Sequence, residues 1–307
     1  MKLSVIICTH NPRADYMPRA LAALAAQTLA HDAWELLIID NCSTEPVAGR
    51  FDLGWRPDVR FVREDKLGLT PARLRGIQEA RGDLLVFVDD DNVLDPDYLV
   101  TALRIARERP WLGAWSGQCR AEFEVQPEEW TRRYWGNLCI REFATDVWSN
   151  LPRLPETMAA GAGLCVRKAV GAEYVRLHET GARPFEMDRT GNSLMSGGDN
   201  DLAACACDIG LGQGLTADLK LTHLISRGRT TLDYLARLAE GIYFSAVVIS
   251  HMRGEACEVQ SYRVRRRDKL RALVNRGPHR RIALAVLRGR RKGLAFLANL
   301  PSAARGE

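Results

Sequence analysis

The stretch Leu84-Leu85-Val86-Phe87-Val88 runs without interruption into three carboxylates, Asp89-Asp90-Asp91. An apolar run this short, entered through Gly82-Asp83 and rich in β-branched and aromatic residues, has the make-up of a strand buried on both faces, as in a parallel sheet. Such sheets take their ligands at the carboxyl ends of the strands. Three like charges at one strand end repel one another and lose hydration where they are covered, so the cluster requires a compensating partner. A divalent cation bridging to phosphate oxygens is one such partner. The other reading is a solvated acidic turn leading into the next helix, because Asp95-Pro96 makes a good N-cap and first-turn pair.

The preceding residues supply the rest of such a sheet. Leu3 to Cys8 reads as a first strand, followed by the polar turn Thr9-His10-Asn11-Pro12 and a helix from Pro18 to Ala30 with proline in its first turn. Glu35 to Ile39 is a second strand closed by Asp40-Asn41-Cys42-Ser43, and Val59 to Val62 is a third. A helix from Thr70 to Ala80 carries Arg73 and Arg75. This alternation predicts an α/β fold: a mostly parallel central sheet flanked by helices, joined by right-handed crossovers. Thr9, Asp40 and Asp91 then stand on neighbouring strand tips, where a hydroxyl, a lone carboxylate and a metal-capable triad could hold a base, a ribose and a diphosphate. There is no G-x-x-x-x-G-K-S/T loop and no G-x-G-x-x-G after the first strand. Gly210, Gly212 and Gly214 follow a helix and precede a strand from Leu215 to Lys220, so they read as a helix stop.

With 307 residues the chain can bury one large α/β domain and an appendage. No apolar run approaches the roughly 18 residues of a membrane span. The first residues are strand-like and lack the apolar core of a signal peptide, which points to a cytoplasmic protein. Eight scattered cysteines without C-x-x-C spacing read as reduced, mostly buried small apolar residues. The formal charge of +5 hides an asymmetry: Arg263 to Gly293 holds thirteen Lys or Arg against Asp268 alone, a net of +12, which leaves about −7 elsewhere. Thr230 to Met252, Arg263 to Val274 and His279 to Leu300 read as helices, the last two separated by Gly277-Pro278. The chain therefore divides into an α/β domain, 1–228, and a helical, basic extension, 229–307. In the last helix Ile282, Val286, Phe296, Leu297 and Leu300 share a face away from Arg280, Arg281, Arg288 and Arg291. Residues 263–300 thus suit an anionic membrane surface or a covering partner. Nucleic acid is not expected, since stacking aromatics are nearly absent there.

Six segments carry a family resemblance over roughly residues 1 to 225. They are Ser4 to Asn11, Glu35 to Asn41, Gly68 to Arg73, Ala80 to Asp83 leading into Asp89-Asp90-Asp91, Gly161 to Arg167, and Ser196 to Leu202. In this order they resemble family 2 glycosyltransferases with the GT-A fold. The resemblance implies a metal-dependent, inverting glycosyltransferase that moves a sugar from a nucleotide-diphosphate sugar, a UDP-sugar by expectation, to a hydroxyl acceptor. Cell-surface polysaccharide or glycolipid synthesis, on a saccharide or lipid-linked acceptor at the inner membrane face, is the implied setting, with 1–228 as the catalytic domain.

Residue by residue, the resemblance implies donor contacts from Thr9, Asn11 and Asp40, and a base or diphosphate contact from Arg73. It assigns Asp89 and Asp90 to the donor as well, Asp89 through ribose or a metal-bound water. Asp91 and His223 become ligands for Mg²⁺ or Mn²⁺, and Asp199 the general base. His10 stands where the family tolerates several residues and is structural. For Asp40 a turn aspartate bonded to its own backbone is the alternative, for Arg73 a solvated helix arginine, and for Asp199 a helix N-cap. Gly198 stands where the family has glutamate, which leaves the choice between Asp199 and Asp201 open. A carboxylate is ionised at neutral pH and can take the acceptor's proton during in-line displacement of the diphosphate. Trp115, Trp130, Tyr134, Trp135 and Trp148, within residues 115–195, either stack on acceptor sugars or fill cores. Two other readings stay open: a catalytically degenerate nucleotide-sugar-binding or membrane scaffold protein, and a nucleotidyltransferase. The second would place a glycine- and arginine-rich loop after the first strand, and Thr9-His10-Asn11-Pro12 is not one.

Overall fold

The computed structural model describes residues 2–185, 187–188 and 195–300. Its first half is β1 (Leu3–Thr9), α1 (Met17–Ala25), β2 (Trp34–Asn41), β3 (Arg60–Glu64), α2 (Leu69–Glu79) and β4 (Leu84–Phe87). These strands pair in parallel in the order β3-β2-β1-β4. Alternation of side chains explains their continuous apolar runs. Val5 and Ile7 face α1 through Met17, Leu21 and Leu24, whereas Ile6 faces α2 through Ala72 and Ile77. Helix α1 ends five residues before the expected Ala30. Beyond Ala25 the chain is drawn off the helix axis by tertiary bonds: Thr28 N–H donates to the Pro96 carbonyl at 2.8 Å, and the Gln27 amide to the Asp95 carbonyl at 2.9 Å.

The second half is β5 (Asn92–Leu94), α3 (Tyr98–Glu108), β6 (Leu112–Phe123), β7 (Val147–Ser149), β8 (Cys165–Arg167), α4 (Lys168–Glu179), α5 (Gly198–Asp208) and β9 (Gly212–Ile225). Here the expected parallel sheet becomes mixed. β8 runs antiparallel to both β4 and β6; β9 is parallel to β6 but antiparallel to β5 and β7. Strands β5, β7 and β8 are three residues each, too short to show a period in sequence. β9 is longer than expected at both ends. Only Gly210, with φ of +81°, acts as the stop after α5; Gly214 lies within the strand, where a methyl group would sit 2.5 Å from the Val147 carbonyl. All eight cysteines are free, but only three are buried and Cys257 is exposed.

The chain continues as α6 (Leu232–Met252), α7 (Ala256–Ser261), α8 (Arg266–Val274) and α9 (Gly277–Ala298). Residues 301–307, the end of the expected extension, lie outside the described residues. The apolar face of α9 is covered from within: Ile282 and Ala285 pack with Leu235 and Leu238 of α6, and Leu297 and Phe296 with Val247 and Val248. The face that suited a membrane or a covering partner is thus packed against α6 of the same chain. The same clusters take in Leu138, Ile225 and Met187, so the extension shares core with the α/β body beyond residue 228. None of the described helices is long and apolar enough to cross a membrane.

Close approach of α6 and α9 depends on two glycines. A methyl on Gly289 would lie 2.2 Å from the Glu240 carbonyl, and one on Gly293 2.8 Å from Val247 Cβ. Gly289→Leu is therefore expected to pry the helices apart and lower unfolding free energy by about 1–3 kcal/mol, measured as a drop in the denaturation midpoint.

Candidate active site

The acidic triad lies on the turn between β4 and β5, closed by Asn92 N–H donating to the Asp89 carbonyl at 3.0 Å. Strand β5 then pairs antiparallel with β9, placing Asn92 opposite His223. Leu224 N–H reaches back to the Asp91 carbonyl at 2.9 Å. This ladder is what brings Asp91 and His223 together. The His223 Nδ1 lies 3.0 Å from the Leu138 carbonyl, so Nδ1 carries the proton, and Nε2, an acceptor, lies 3.2 Å from Asp91 Oδ2.

Arg229 completes this corner. From the 3₁₀ turn Arg227–Thr230 its Nη1 donates to Asp91 Oδ2 at 2.8 Å and to His223 Nε2 at 2.9 Å. The sequence reading missed it, and its only local signal is a basic residue in a glycine turn six positions after His223. Thr9, at the tip of β1, donates through its hydroxyl to Asp90 Oδ2. Burial, and then the neighbouring Asp91, push the Asp90 carboxyl up to about 7, against the lowering effect of the Thr9 bond.

Arg73 projects from α2 and is buried. Its Nη1 donates to Asp188 Oδ2 at 2.8 Å, and the Thr70 hydroxyl donates to the same oxygen at 2.9 Å. Asp188, also absent from the sequence reading, occupies the space beside Gly198: a methyl there would lie 2.1 Å from Asp188 Oδ2. The position where the family carries glutamate is thus a glycine whose side-chain volume is taken by a carboxylate from another segment.

Asp199 and Asp201, two apart at the start of α5, point to different environments. Asp201 is 3% exposed, and its two oxygens accept from Arg183 Nε and Arg253 Nη1, each at 2.7 Å. Asp199 accepts from Gly161 N–H through Oδ2 at 2.7 Å and from Asn200 N–H through Oδ1 at 2.9 Å. Its carboxylate forms part of the wall between two cavities.

The first cavity, about 300 Å³, is lined by Thr9, Arg73, Asp89, Asp90, Asp91, Asp199, His223 and Arg229. The second, about 270 Å³, lies against Asn137, Arg141, Arg153, Met158 and three residues of α6, Ile242, Ala246 and Ile249. Cys139, Ser196 and Asp199 line both. None of the five aromatics singled out in the sequence is among the lining residues: Trp115 is buried in the core, Trp130 and Tyr134 pack on His279, Trp135 on Phe123 and Trp148 on Trp111.

Two expected donor residues stand outside the cavity wall. Asp40 is buried and accepts from Ser43 N–H at 3.0 Å, Val47 N–H at 3.2 Å and Arg63 Nη1 at 3.0 Å, which is the turn-aspartate arrangement. Asn11, exposed and with φ of +50°, joins the same loop: its Oδ1 accepts from Thr44 N–H at 2.8 Å and its own N–H donates to Ser43 Oγ at 2.9 Å. His10 lines the cavity with its Nδ1–H donating to the Asn41 carbonyl at 2.7 Å.

The donor set at Asp91 and His223 fits a hard divalent cation in part. Among the described residues no third His, Cys, Asp or Glu closes a cage around them. An oxygen and an imidazole nitrogen that leave most coordination positions to phosphate and water suit Mg²⁺ or Mn²⁺, and Arg229 Nη1, which bonds to both atoms here, would have to give way to the ion.

A parallel half-sheet extended by a mixed half and flanked by helices is the GT-A glycosyltransferase fold. The S. aureus TarS fragment 1-349, solved in complex with UDP-GlcNAc, shares the fold at a TM-score of 0.52 and 15% identity, over 98% of this chain and 93% of that one. Residues 4–154 match the family described as Glycosyl transferase family 2. An uncharacterized glycosyltransferase of Haemophilus influenzae is 30% identical over 109 residues, 35% of each chain. The putative teichuronic acid biosynthesis glycosyltransferase TuaG of Bacillus subtilis is 28% identical over 118 residues, 38% of this chain and 46% of TuaG. These matches support a family 2 glycosyltransferase: the family model covers just under half of the chain, and the chain spans less than half the length of these two curated relatives.

Burial by itself would raise the Asp40 carboxyl, but the bonds from Ser43, Val47 and Arg63 outweigh it and hold Asp40 below the usual carboxylate range. A depressed carboxyl stabilises the fold fully above its unfolded value near 4, and that stabilisation disappears as pH falls through the folded value. Asp40→Ala is expected to cost about 2–3 kcal/mol at pH 7, with the gap to the parent narrowing below about pH 4 in denaturant titrations. Asp188→Ala should strand the buried Arg73 and cost about 3–5 kcal/mol. Adding Gly198→Glu to that variant should recover part of the loss, whereas Gly198→Glu alone should destabilise.

Proposed function

We propose that this protein is a metal-dependent, inverting glycosyltransferase that moves a sugar from a nucleotide-diphosphate donor to a hydroxyl acceptor. The observation that carries this reading is the place of Asp199 on the wall shared by two cavities, one lined by acidic and basic groups suited to a diphosphate, the other open to a second substrate. The donor fills the first, with its diphosphate beside Asp91, His223 and Arg229 and its sugar toward Asp199. Arg229 and Arg73 bring positive charge to the wall of the cavity that takes the phosphate oxygens. Asp91 and His223 would hold Mg²⁺ or Mn²⁺, which would supply further neutralisation of the departing diphosphate. Thr9, with Asp89 and Asp90, supplies polar groups for the nucleoside end.

The acceptor hydroxyl enters from the second cavity. The bonds from Gly161 and Asn200 orient the Asp199 carboxylate, and each oxygen keeps a lone pair for the incoming proton. As the acceptor oxygen bonds to the anomeric carbon, its proton passes to Asp199, and the bond from that carbon to the diphosphate breaks on the opposite face. The configuration is thereby inverted and no covalent enzyme intermediate forms. A UDP-sugar is the donor favoured by likeness to TarS, and a cell-surface polysaccharide or lipid-linked acceptor by the names of relatives such as TuaG. A lipid-linked acceptor would bring the protein to the inner membrane face.

Asp199→Asn is expected to lower transfer by about 10²–10⁴-fold while a UDP-sugar with Mn²⁺ still raises the melting temperature. Asp201→Asn should instead lower stability, by leaving Arg183 and Arg253 short of counter-charge. Full transfer by Asp199→Asn would sink the reading. Donor binding without release of nucleoside diphosphate would favour a binding protein, and release of pyrophosphate a nucleotidyltransferase. Asp91→Asn should abolish the extra thermal shift that Mn²⁺ gives over the sugar nucleotide alone.

A further inference from the structure

The basic extension distributes its charge unevenly between its last two helices. On α9, Arg281 pairs with Asp233, Arg288 and Lys292 both pair with Glu240, and Arg290 donates to the carbonyls of Ser261, Tyr262 and Arg263. These cations bind the extension together. Helix α8 is different. Arg266, Arg267, Lys269 and Arg271 on it are all exposed, as are Arg263, Arg265 and Arg276 beside it.

The inward side of α8 is small and anchored: Ala272 is buried, and Asp268 accepts from Arg265 N–H at 2.9 Å and lies 3.9 Å from Arg290 Nη1. The outward side carries Leu270 at 64% exposure, Leu273 at 48% and Val274 at 80%. Their spacing of three and four residues makes one continuous apolar patch. Seven exposed cations surround it.

We propose that α8, and not the apolar face of α9, is a docking surface for an anionic lipid bilayer. Basic side chains meet the phosphate headgroups while the three aliphatic chains enter the acyl boundary, the division of labour of an interfacial helix. Charge complementarity selects this occupant, and the absence of aromatic residues on α8 removes the stacking platform that single-stranded nucleic acid needs. The inference deepens the reading of a lipid-linked acceptor by saying where the protein meets it. Docking itself requires neither donor nor catalysis.

The test is co-sedimentation of the full chain with vesicles of phosphatidylcholine alone and with phosphatidylglycerol added, without nucleotide. Binding is expected only to the phosphatidylglycerol vesicles, and to weaken with salt. Leu270→Ser with Val274→Ser should lower partitioning about tenfold, and Arg266→Gln with Arg267→Gln about tenfold or more. All four side chains are exposed, so both variants should melt with the parent. Absent binding, equal binding to both vesicle types, or parent-like partitioning by the serine variant would overturn the proposal. So would self-association of the parent that the serine variant abolishes, which would make the patch an interface between copies. A chain that binds these vesicles but transfers no sugar would refute the transferase reading and keep this one. An active chain that ignores them would do the reverse.

Discussion

Three rungs of antiparallel ladder, Asn92 to Leu94 against Leu221 to His223, hold together most of what makes this chain chemically interesting. They bring an acidic turn and a histidine 132 residues apart in sequence within hydrogen-bond distance. The imidazole is oriented by a second constraint, the Leu138 carbonyl on its far nitrogen, so that Nε2 lies beside the carboxylate. The turn that follows β9 then returns Arg229 to the same spot. Without this short pairing the acidic turn and His223 would be distant in space.

The acids around the site divide into two kinds by where they stand. Asp40 and Asp201 give their oxygens to backbone amides or arginines away from the wall of the first cavity. Asp91, Asp188 and Asp199 line that cavity, each held by neighbouring donors. Gly198 and Asp188 illustrate how local and tertiary chemistry trade places. The glycine leaves room, and a carboxylate from ten residues earlier in the chain takes it, keeping Arg73 in a buried ion pair whose rupture would be costly.

The extension follows the same logic at larger scale. Gly289 and Gly293 let α9 lie against α6, which removes from solvent the face that looked most like a lipid contact. Helix α6 in turn supplies Ile242, Ala246 and Ile249 to the second cavity, so the helices beyond residue 228 help build the site as well as flank it. What remains outward is the short α8, whose Leu270, Leu273 and Val274 stay exposed among the described residues.

How much of this was legible beforehand depended on the range of the interaction. Strands β1, β2 and β4, helix α2 and the acidic tip could be read directly, because continuous β-branched runs and strand-tip carboxylates are local consequences of a sheet buried on both faces. Thr9, Arg73, Asp89, Asp90, Asp91, Asp199 and His223 were likewise named from their segments, and the fold gathers them around one cavity. Asp40 and Asn11 were equally visible as residues, but which way a turn carboxylate points is set by the amides of a loop closing over it. Arg229, Asp188, the role of α6 and the exposed side of α8 could not be read, since each depends on which distant surface packs against it. By itself the sequence determined the strands and helices of the parallel half, the basic terminal helices and the kinds of charge at the strand ends, through side-chain alternation and capping within a few residues. Only the tertiary structure decided which charges meet, because pairing across more than a hundred residues is set by packing and buried ion pairs that no local pattern records.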